Sequence, residues 1–453
     1  MSKKILASIL CLAGVYSSHA WSQGAASQAP VAAEDDGAYS LGGVQANTGP
    51  SLTGAGQSAA SPAYELKGIA TGSKRAADPV ILTTPAPDRG APIKFENGIF
   101  LYPFVFLGVG HNDNVIGTQD NKVSSSITNL QPEFLAEIKR NGDRYTASYA
   151  GNYGAYGSSS DDDFAHHDFQ VAGDNYFTPR VRMGWMMGYQ QETDPRGSTD
   201  RAVSTEPDQW HAPIVRGRFI YGAESATGRL EGDVQGMQKR YDNNRQTTEA
   251  ADLDMTELAG RFYYRIAPRT LLLAEVRNND IEYVTNTALD STEQRYYVGA
   301  TWEATAATTG IFKLGHLRKD FEAETRKDFS GFSWEGTVRW QPTKFSVVDI
   351  ETSKSTSDPT GFGNFTVHSG LNGTWQHKWT GFVTSRVILG SLESDYDGVN
   401  RVDTTRTYGL GVGYDVLRWL SIGADWGYTD RSSTDPTFDF DRTVTMLTVE
   451  ATL

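Results

Sequence analysis

Between Arg401 and Leu453 the sequence alternates with a period of two. Tyr408, Leu410, Val412, Tyr414 and Val416 are separated by Gly409, Gly411, Gly413 and Asp415. After a Leu417-Arg418 turn, Leu420, Ile422, Ala424, Trp426 and Tyr428 alternate with Ser421, Gly423, Asp425, Gly427 and Thr429, and Leu447, Val449, Ala451 and Leu453 close the chain. Successive side chains of a strand point to opposite faces, so one face here is apolar with aromatics near its ends and the other is small, polar or charged. The pattern predicts strands of a closed transmembrane barrel, with lipid outside and water inside. A β-sandwich also alternates, but it buries its apolar face against a second sheet and rarely uses so many long, even strands.

Composition narrows the choice. Beyond the N-terminus no run of about 20 apolar residues occurs, which excludes a helical membrane protein. A mean hydropathy below zero is compatible with a barrel, because only alternate strand residues meet lipid. The 46 Gly, 21 Tyr, 20 Phe and 10 Trp fit strands better than a helical enzyme. A formal charge of -14 argues against nucleic acid as a partner.

Residues 1–20 read as a secretory signal peptide: Lys3 and Lys4, an apolar stretch from Ile5 to Val15, and Ser18-His19-Ala20 as a small-x-small cleavage site. Cys11 lies within it, so the mature chain is expected to have no disulfide, thiolate metal site or cysteine nucleophile. Leu10 stands where a lipoprotein signal needs a small residue. Residues 21–96, rich in Ala, Gly, Ser and Pro, are expected to form a disordered, flexible periplasmic arm.

From about residue 97 to the end the chain repeats one plan of strand, short turn, strand and long polar loop. The short turns are expected at Arg140-Asn141-Gly142-Asp143, Thr178-Pro179, Ser225 to Gly228, Ala267-Pro268, Ala306 to Thr309, Pro342-Thr343, Trp379-Thr380 and Val416 to Arg418. The long loops include Asn112 to Ser124, Thr193 to Asp208, Asp242 to Ala251, Lys319 to Lys327, Ser357 to Asn364, Asp395 to Asp403 and Asp430 to Phe438. Short periplasmic turns alternating with long extracellular loops mark an outer-membrane barrel. The expected fold is therefore all-β: a transmembrane antiparallel up-and-down β-barrel of about 18 strands, with both termini in the periplasm of a Gram-negative bacterium.

A charge facing lipid at mid-bilayer costs about 2–4 kcal/mol, which turns the charged rows inward. That places Arg182, Arg216, Arg218, Glu231, Asp233, Glu257, Arg261, Arg265, Glu275, Arg277, Glu303, Glu335, Arg339, Arg386 and Asp425 on the wall of the lumen. The strand from Phe345 to Thr352 is less regular, since its face assignment groups Val347 with Asp349 and Glu351. A barrel of this size is expected to enclose an aqueous channel.

Catalytic or metal-binding patterns are sparse, and no cofactor is expected. His166 and His167 are adjacent and His368 and His377 are nine apart, so each pair falls on opposite faces of a strand. Gly409, Gly411 and Gly413 lie inside an alternating strand with no helix behind, which speaks against a nucleotide loop. Asp161-Asp162-Asp163 is read as a solvated loop tip in preference to a calcium loop.

The run GIFLYPFVFLGVGHNDNV (Gly98 to Val115), the strand around Pro132 and the segment GDRYTASYAGNYGAY together resemble the β-barrel porins of exopolysaccharide operons, the EpsL-type and Wzp-type outer-membrane export porins. Pro103, Gly108, Gly110, Asn112, Asp113 and Asn114 match that family's opening strand and loop. His167-Asp168 is similar to the start of its fourth strand. The resemblance covers the chain from about Gly98 onward and implies no catalytic residues. It implies a barrel of about 18 strands that exports exopolysaccharide made by a Wzx/Wzy-type pathway. Its partner would be a periplasmic polysaccharide export protein that lacks its own outer-membrane segment. The C-terminal alternation would address the chain to the barrel assembly machinery, although Leu453 stands where an aromatic is usual.

Three functions follow from these readings. An exopolysaccharide secretion porin needs a continuous polar lumen. A general or substrate-specific diffusion porin for small solutes needs a constriction, for which the loop from Thr193 to Asp208 is the candidate. A barrel enzyme acting on lipid or polysaccharide needs a clustered acid, base and nucleophile, which the sequence does not offer.

Overall fold

Eighteen antiparallel strands, each hydrogen-bonded to the next in sequence, close into a ring in the computed structural model of the chain. The structure describes residues 92–198, 204–305, 308–357 and 363–452, with Leu82 and the two-residue strands Gly43–Val44 and Leu66–Lys67. The expected signal peptide, and nearly all of the expected arm, lie outside the described residues. In chain order the strands are β1 (Ile99–Asn112), β2 (Ser125–Arg140), β3 (Asp143–Tyr156), β4 (Phe164–Thr178), β5 (Val181–Asp194) and β6 (Asp208–Tyr221). Then come β7 (Gly228–Tyr241), β8 (Leu253–Ala267), β9 (Thr270–Tyr283), β10 (Ser291–Thr305), β11 (Thr308–Phe321) and β12 (Phe329–Thr343). The last six are β13 (Ser346–Ser357), β14 (Thr366–Lys378), β15 (Val383–Tyr396), β16 (Arg401–Leu417), β17 (Leu420–Ser433) and β18 (Phe440–Thr452).

The strands run for 12 to 17 residues. At ~3.3 Å per residue even the shortest is about 40 Å long, and tilted it outreaches an apolar band of ~25 Å. Strand ends therefore stand in headgroups and water, where polar sequence is compatible with pairing. This is why several expected loops are shorter in the structure. The stretch from Asp395 to Asp403 is mostly strand, leaving a turn over residues 397–400. Polar residues as far as Ser433 belong to β17, and Lys319 to Phe321 belong to β11. The turn expected at Pro342-Thr343 falls at Lys344-Phe345, because β12 continues through Thr343. Asn141 and Gly142 have φ of 54° and 91°, as the two-residue hairpin turn that matches strand twist requires.

Ring closure depends on the stretch that carries the family resemblance. β18 pairs with β1 from Val444–Asn112 to Thr452–Phe104, and Ile93–Lys94 continues that edge by pairing with Leu101 and Phe100. Gly110 sits where the seam is tightest: a Cβ there would fall 2.0 Å from the Thr445 carbonyl oxygen. Above the seam, Thr443 N donates to Asp113 Oδ1 (2.6 Å). Asn114 Nδ2 donates to the Thr118 and Asp441 carbonyls (2.8 Å each), and Asn112 Oδ1 accepts from Asn114 N (3.0 Å). Asn112, Asp113 and Asn114 are thus a clasp between the first loop and the last strand.

The two faces of the wall are chemically distinct. Apolar residues are exposed around the perimeter, Leu447 to 64% and Val298 to 67%. Near the short-turn end Tyr221, Tyr264, Trp340, Trp379 and Trp419 form an exposed aromatic belt. The opposite rows point into the lumen. Asp349 belongs to them, since Arg339 on β12 grips it through Nε (2.6 Å) and Nη2 (2.9 Å).

Candidate functional site: the lumen

The inner face from β6 to β12 carries one connected charge network. Arg218 donates from Nε to Asp233 Oδ1 (2.6 Å) and from Nη2 to Oδ2 (3.2 Å). Arg261 joins Asp233 to Glu275, binding both, with Nε 2.9 Å from Glu275 Oε2. Arg216 Nη2 lies 3.8 Å from Asp233 Oδ1. Glu275 also receives Arg277 Nε (2.9 Å) and Lys313 Nζ (3.1 Å). Arg277 Nη1 reaches on to Glu335 Oε1 (2.9 Å); Arg295 also approaches that oxygen, and Lys313 pairs with Oε2. Glu257 sits among Arg216, Arg261, Arg277 and Arg295. β9 and β12 are three strands apart, ~14 Å along a wall. The Arg277–Glu335 contact therefore lays two long side chains across β10 and β11, over the Tyr297 ring. Arg277 is only 6% exposed and Glu335 4%. Charged side chains lining a wide bore would be open to water; these are nearly inaccessible.

The other sequence candidates lie outside this network. Arg182 and Arg265 sit near the short turns, where Arg182 Nη1 donates to Glu224 Oε1 (3.1 Å) and Arg265 Nε to the Ala226 carbonyl (3.2 Å). Glu231 pairs with Arg229. Arg339 pairs with Asp349, and Arg386 Nη2 donates to Asp425 Oδ1 (2.7 Å). Glu303 belongs to β10, and its side chain lies outside the described residues.

An apolar cluster inside the barrel is absent from the sequence reading. Ala172, Met186, Ile214, Met237, Leu253, Met255 and Ile281 pack together on inward positions, with Phe365 at the long-loop end. The sequence signal for it is adjacent apolar residues, Met186-Met187 and Ile214-Val215, which break strict alternation. Leu82 joins the cluster: its N–H donates to Asp174 Oδ1 (3.0 Å) and its carbonyl accepts from Gln170 Nε2 (3.3 Å). Phe365 stacks near Phe329 (4.9 Å between centroids) and Phe321 (6.2 Å).

Loops interlock over the mouth. Gly197, in the loop after β5, packs so tightly on the first loop that a Cβ would lie 2.1 Å from the Ile116 carbonyl oxygen. Its neighbour Arg196 donates from Nε to Asp162 Oδ1 (2.7 Å), and that bond holds the guanidinium above its ordinary pKa. The acidic run is therefore more than a solvated tip: Asp162 anchors Arg196, and Asp163 Oδ1 accepts from Tyr156 N (2.7 Å). Among the described residues no three His, Cys, Asp or Glu side chains group to hold a metal ion. His166 bonds Thr193 Oγ1 (2.8 Å), whereas His167 turns to Tyr149 on the other face (3.1 Å).

From β15 round to β1 the inner wall is different. Gly390, Gly409, Gly411, Gly413, Gly423 and Gly108 occupy inward positions. They alternate there with bulky inward side chains, among them Arg386, Ile388, Asp425, Met446 and Phe106.

A closed antiparallel barrel with an apolar perimeter and a charged interior defines a transmembrane porin. The sequence matches the family described as "Putative beta-barrel porin 2" over residues 96–453, and the chain belongs to that family. Its class is that of channels in the Gram-negative outer membrane. No curated protein matches the sequence. Similar solved structures include OccK2 (OpdF) of Pseudomonas aeruginosa, 11% identical, with a TM-score of 0.45 over 78% of this chain and 98% of that one. A BenF-like porin of Pseudomonas fluorescens Pf-5 is 10% identical, with a TM-score of 0.45 over 78% and 99%. The FrpB iron transporter of Neisseria meningitidis is 12% identical, with a TM-score of 0.42 over 73% of this chain and 62% of its own.

Proposed function

We propose that this barrel is a selective diffusion porin for small hydrophilic solutes, with the short turns in the periplasm and the long loops outside. The observation that carries the reading is the burial of the mid-barrel charges against one another. A path walled by Arg277, Glu275, Lys313 and Glu335 is narrow and polar, and it suits solutes that exchange hydrogen bonds with that wall. Clasped loops and the Phe365 cluster restrict the outer mouth further. The test is uptake into proteoliposomes: monosaccharide-sized polar solutes should enter and oligosaccharides should be retarded. Equal entry of both rejects selectivity by size.

Exopolysaccharide export is the second reading. The inward glycines Gly390, Gly409, Gly411, Gly413, Gly423 and Gly108 favour it, because a hydrated chain needs stretches of smooth surface to slide along. Its partner would be a periplasmic export protein. It predicts loss of surface polymer, with precursors retained, when the gene is deleted; undiminished surface polymer excludes it.

A further inference from the structure

Near the short-turn end, β5, β6 and β7 set Arg182, Ile220 and Glu231 side by side on the inner face, because Ile220 pairs across the strands with both neighbours. Arg229 precedes Glu231 by two residues on the same face, its guanidinium 4.6 Å from the Tyr263 ring centroid. Arg182, Arg229 and Glu231 are 4%, 6% and 4% exposed. Much of their hydrogen-bonding capacity is unused. Beyond the single bond to Glu224, Arg182 Nε and Nη2 have no hydrogen-bond partner among the described residues. Arg229 Nε stands 3.0 Å from Glu231 Oε1 but out of hydrogen-bond alignment, and its Nη2 has no hydrogen-bond partner among the described residues. Neither Glu231 oxygen accepts a hydrogen bond among the described residues. Buried ionised groups rarely stay unsatisfied in company. The contrast with Asp233, Glu275 and Glu335 is direct, since those carboxylates are saturated by their own wall.

We infer that Arg182, Arg229 and Glu231 form a binding subsite for a small hydroxy- or amino-carboxylate. This rests on the small-solute reading above and names the solute class. The guanidinium N–H groups receive the carboxylate, and Glu231 accepts from the hydroxyl or ammonium group. Ile220 lies under the carbon chain between them. Two strand spacings separate Arg182 from Glu231 at the backbone, ~10 Å, which suits a solute of a few carbons held between their side chains. A plain carboxylate satisfies only the arginines, and a polyol only the glutamate.

The test is equilibrium dialysis of the full-length protein in detergent against radiolabelled gluconate, propionate and glucitol, with planar-bilayer conductance alongside. Gluconate should bind, propionate about tenfold more weakly or worse, and glucitol not measurably, since a hydrogen bond to a charged group is worth at least about that factor. Arg229→Met should weaken gluconate and propionate alike. Glu231→Gln, which keeps size and shape, should weaken gluconate alone, and it keeps the test open if Arg229→Met fails to assemble. Equal affinity for gluconate and propionate, unchanged gluconate binding in an assembled Arg229→Met, or no binding to the wild type overturns the subsite; the last leaves water as its only occupant. Gluconate binding without conductance upholds the subsite and rejects the channel. Conductance without gluconate binding does the reverse.

Discussion

Glu335 is the point at which the charge network is most easily unbalanced. One carboxylate answers Arg277, Lys313 and Arg295, and it is almost wholly buried. Glu335→Gln keeps the shape and removes the charge. Breaking a buried ion pair costs about 3–5 kcal/mol. Glu275 still holds Arg277 and Lys313, so the loss should fall at the lower end, about 3 kcal/mol. The added positive field also acts on passing ions. At 8 Å, with an effective dielectric of 20 to 80, a unit charge is worth about 0.5–2 kcal/mol, or a factor of about 2 to 30 in local ion concentration. The assay is paired: the denaturant midpoint of the barrel in detergent, and the reversal potential under a KCl gradient. The midpoint should fall, and the reversal potential should shift toward that of chloride. Adding Lys313→Met should recover at least part of both changes. If Glu335→Gln leaves midpoint and selectivity unchanged, the carboxylate is solvated in an open bore and the network carries no weight.

Other substitutions probe the seam and the mouth. Gly110→Val forces a side chain against the Thr445 backbone at the β1–β18 seam and should cost at least about 1–3 kcal/mol, read as a lower temperature for loss of the compact form on SDS gels. Arg196→Ala unclasps two mouth loops while leaving the wall intact. It should raise open probability in single-channel records with little change in melting. Phe365→Ala hollows the apolar cluster at the long-loop end, so unitary conductance should rise while stability falls by up to about 3–5 kcal/mol.

The fold was legible because lipid imposes a simple rule on strands. Charge cannot face the bilayer, so alternation in stretches such as Tyr408 to Val416 states both the element and its orientation. Strand ends were less legible, since the polar residues of Asp395 to Asp403 look like loop once a strand leaves the apolar band. The direction of the charged rows could be read from the sequence, but their partners could not. Arg277 and Glu335 are 58 residues apart, and their meeting depends on register accumulated over three strand pairings. Met186, Ile214 and Leu82 were missed for a different reason: an aqueous lumen was assumed to be polar throughout, whereas part of this one is packed like a protein core. The motif around Asn112 to Asn114 pointed to a family, and its physical role as a clasp on β18 became visible only once the ring was closed.

The width of the lumen is open to direct measurement by polymer exclusion. Polyethylene glycols of graded size, added to both sides of a bilayer holding single channels, lower conductance only if they enter the pore. The buried network predicts that all but the smallest polymers are excluded and leave the current unchanged. Entry of polymers of several kilodaltons would mean that the charges around Arg277 and Glu335 line an open bore, and the small-solute account would be lost.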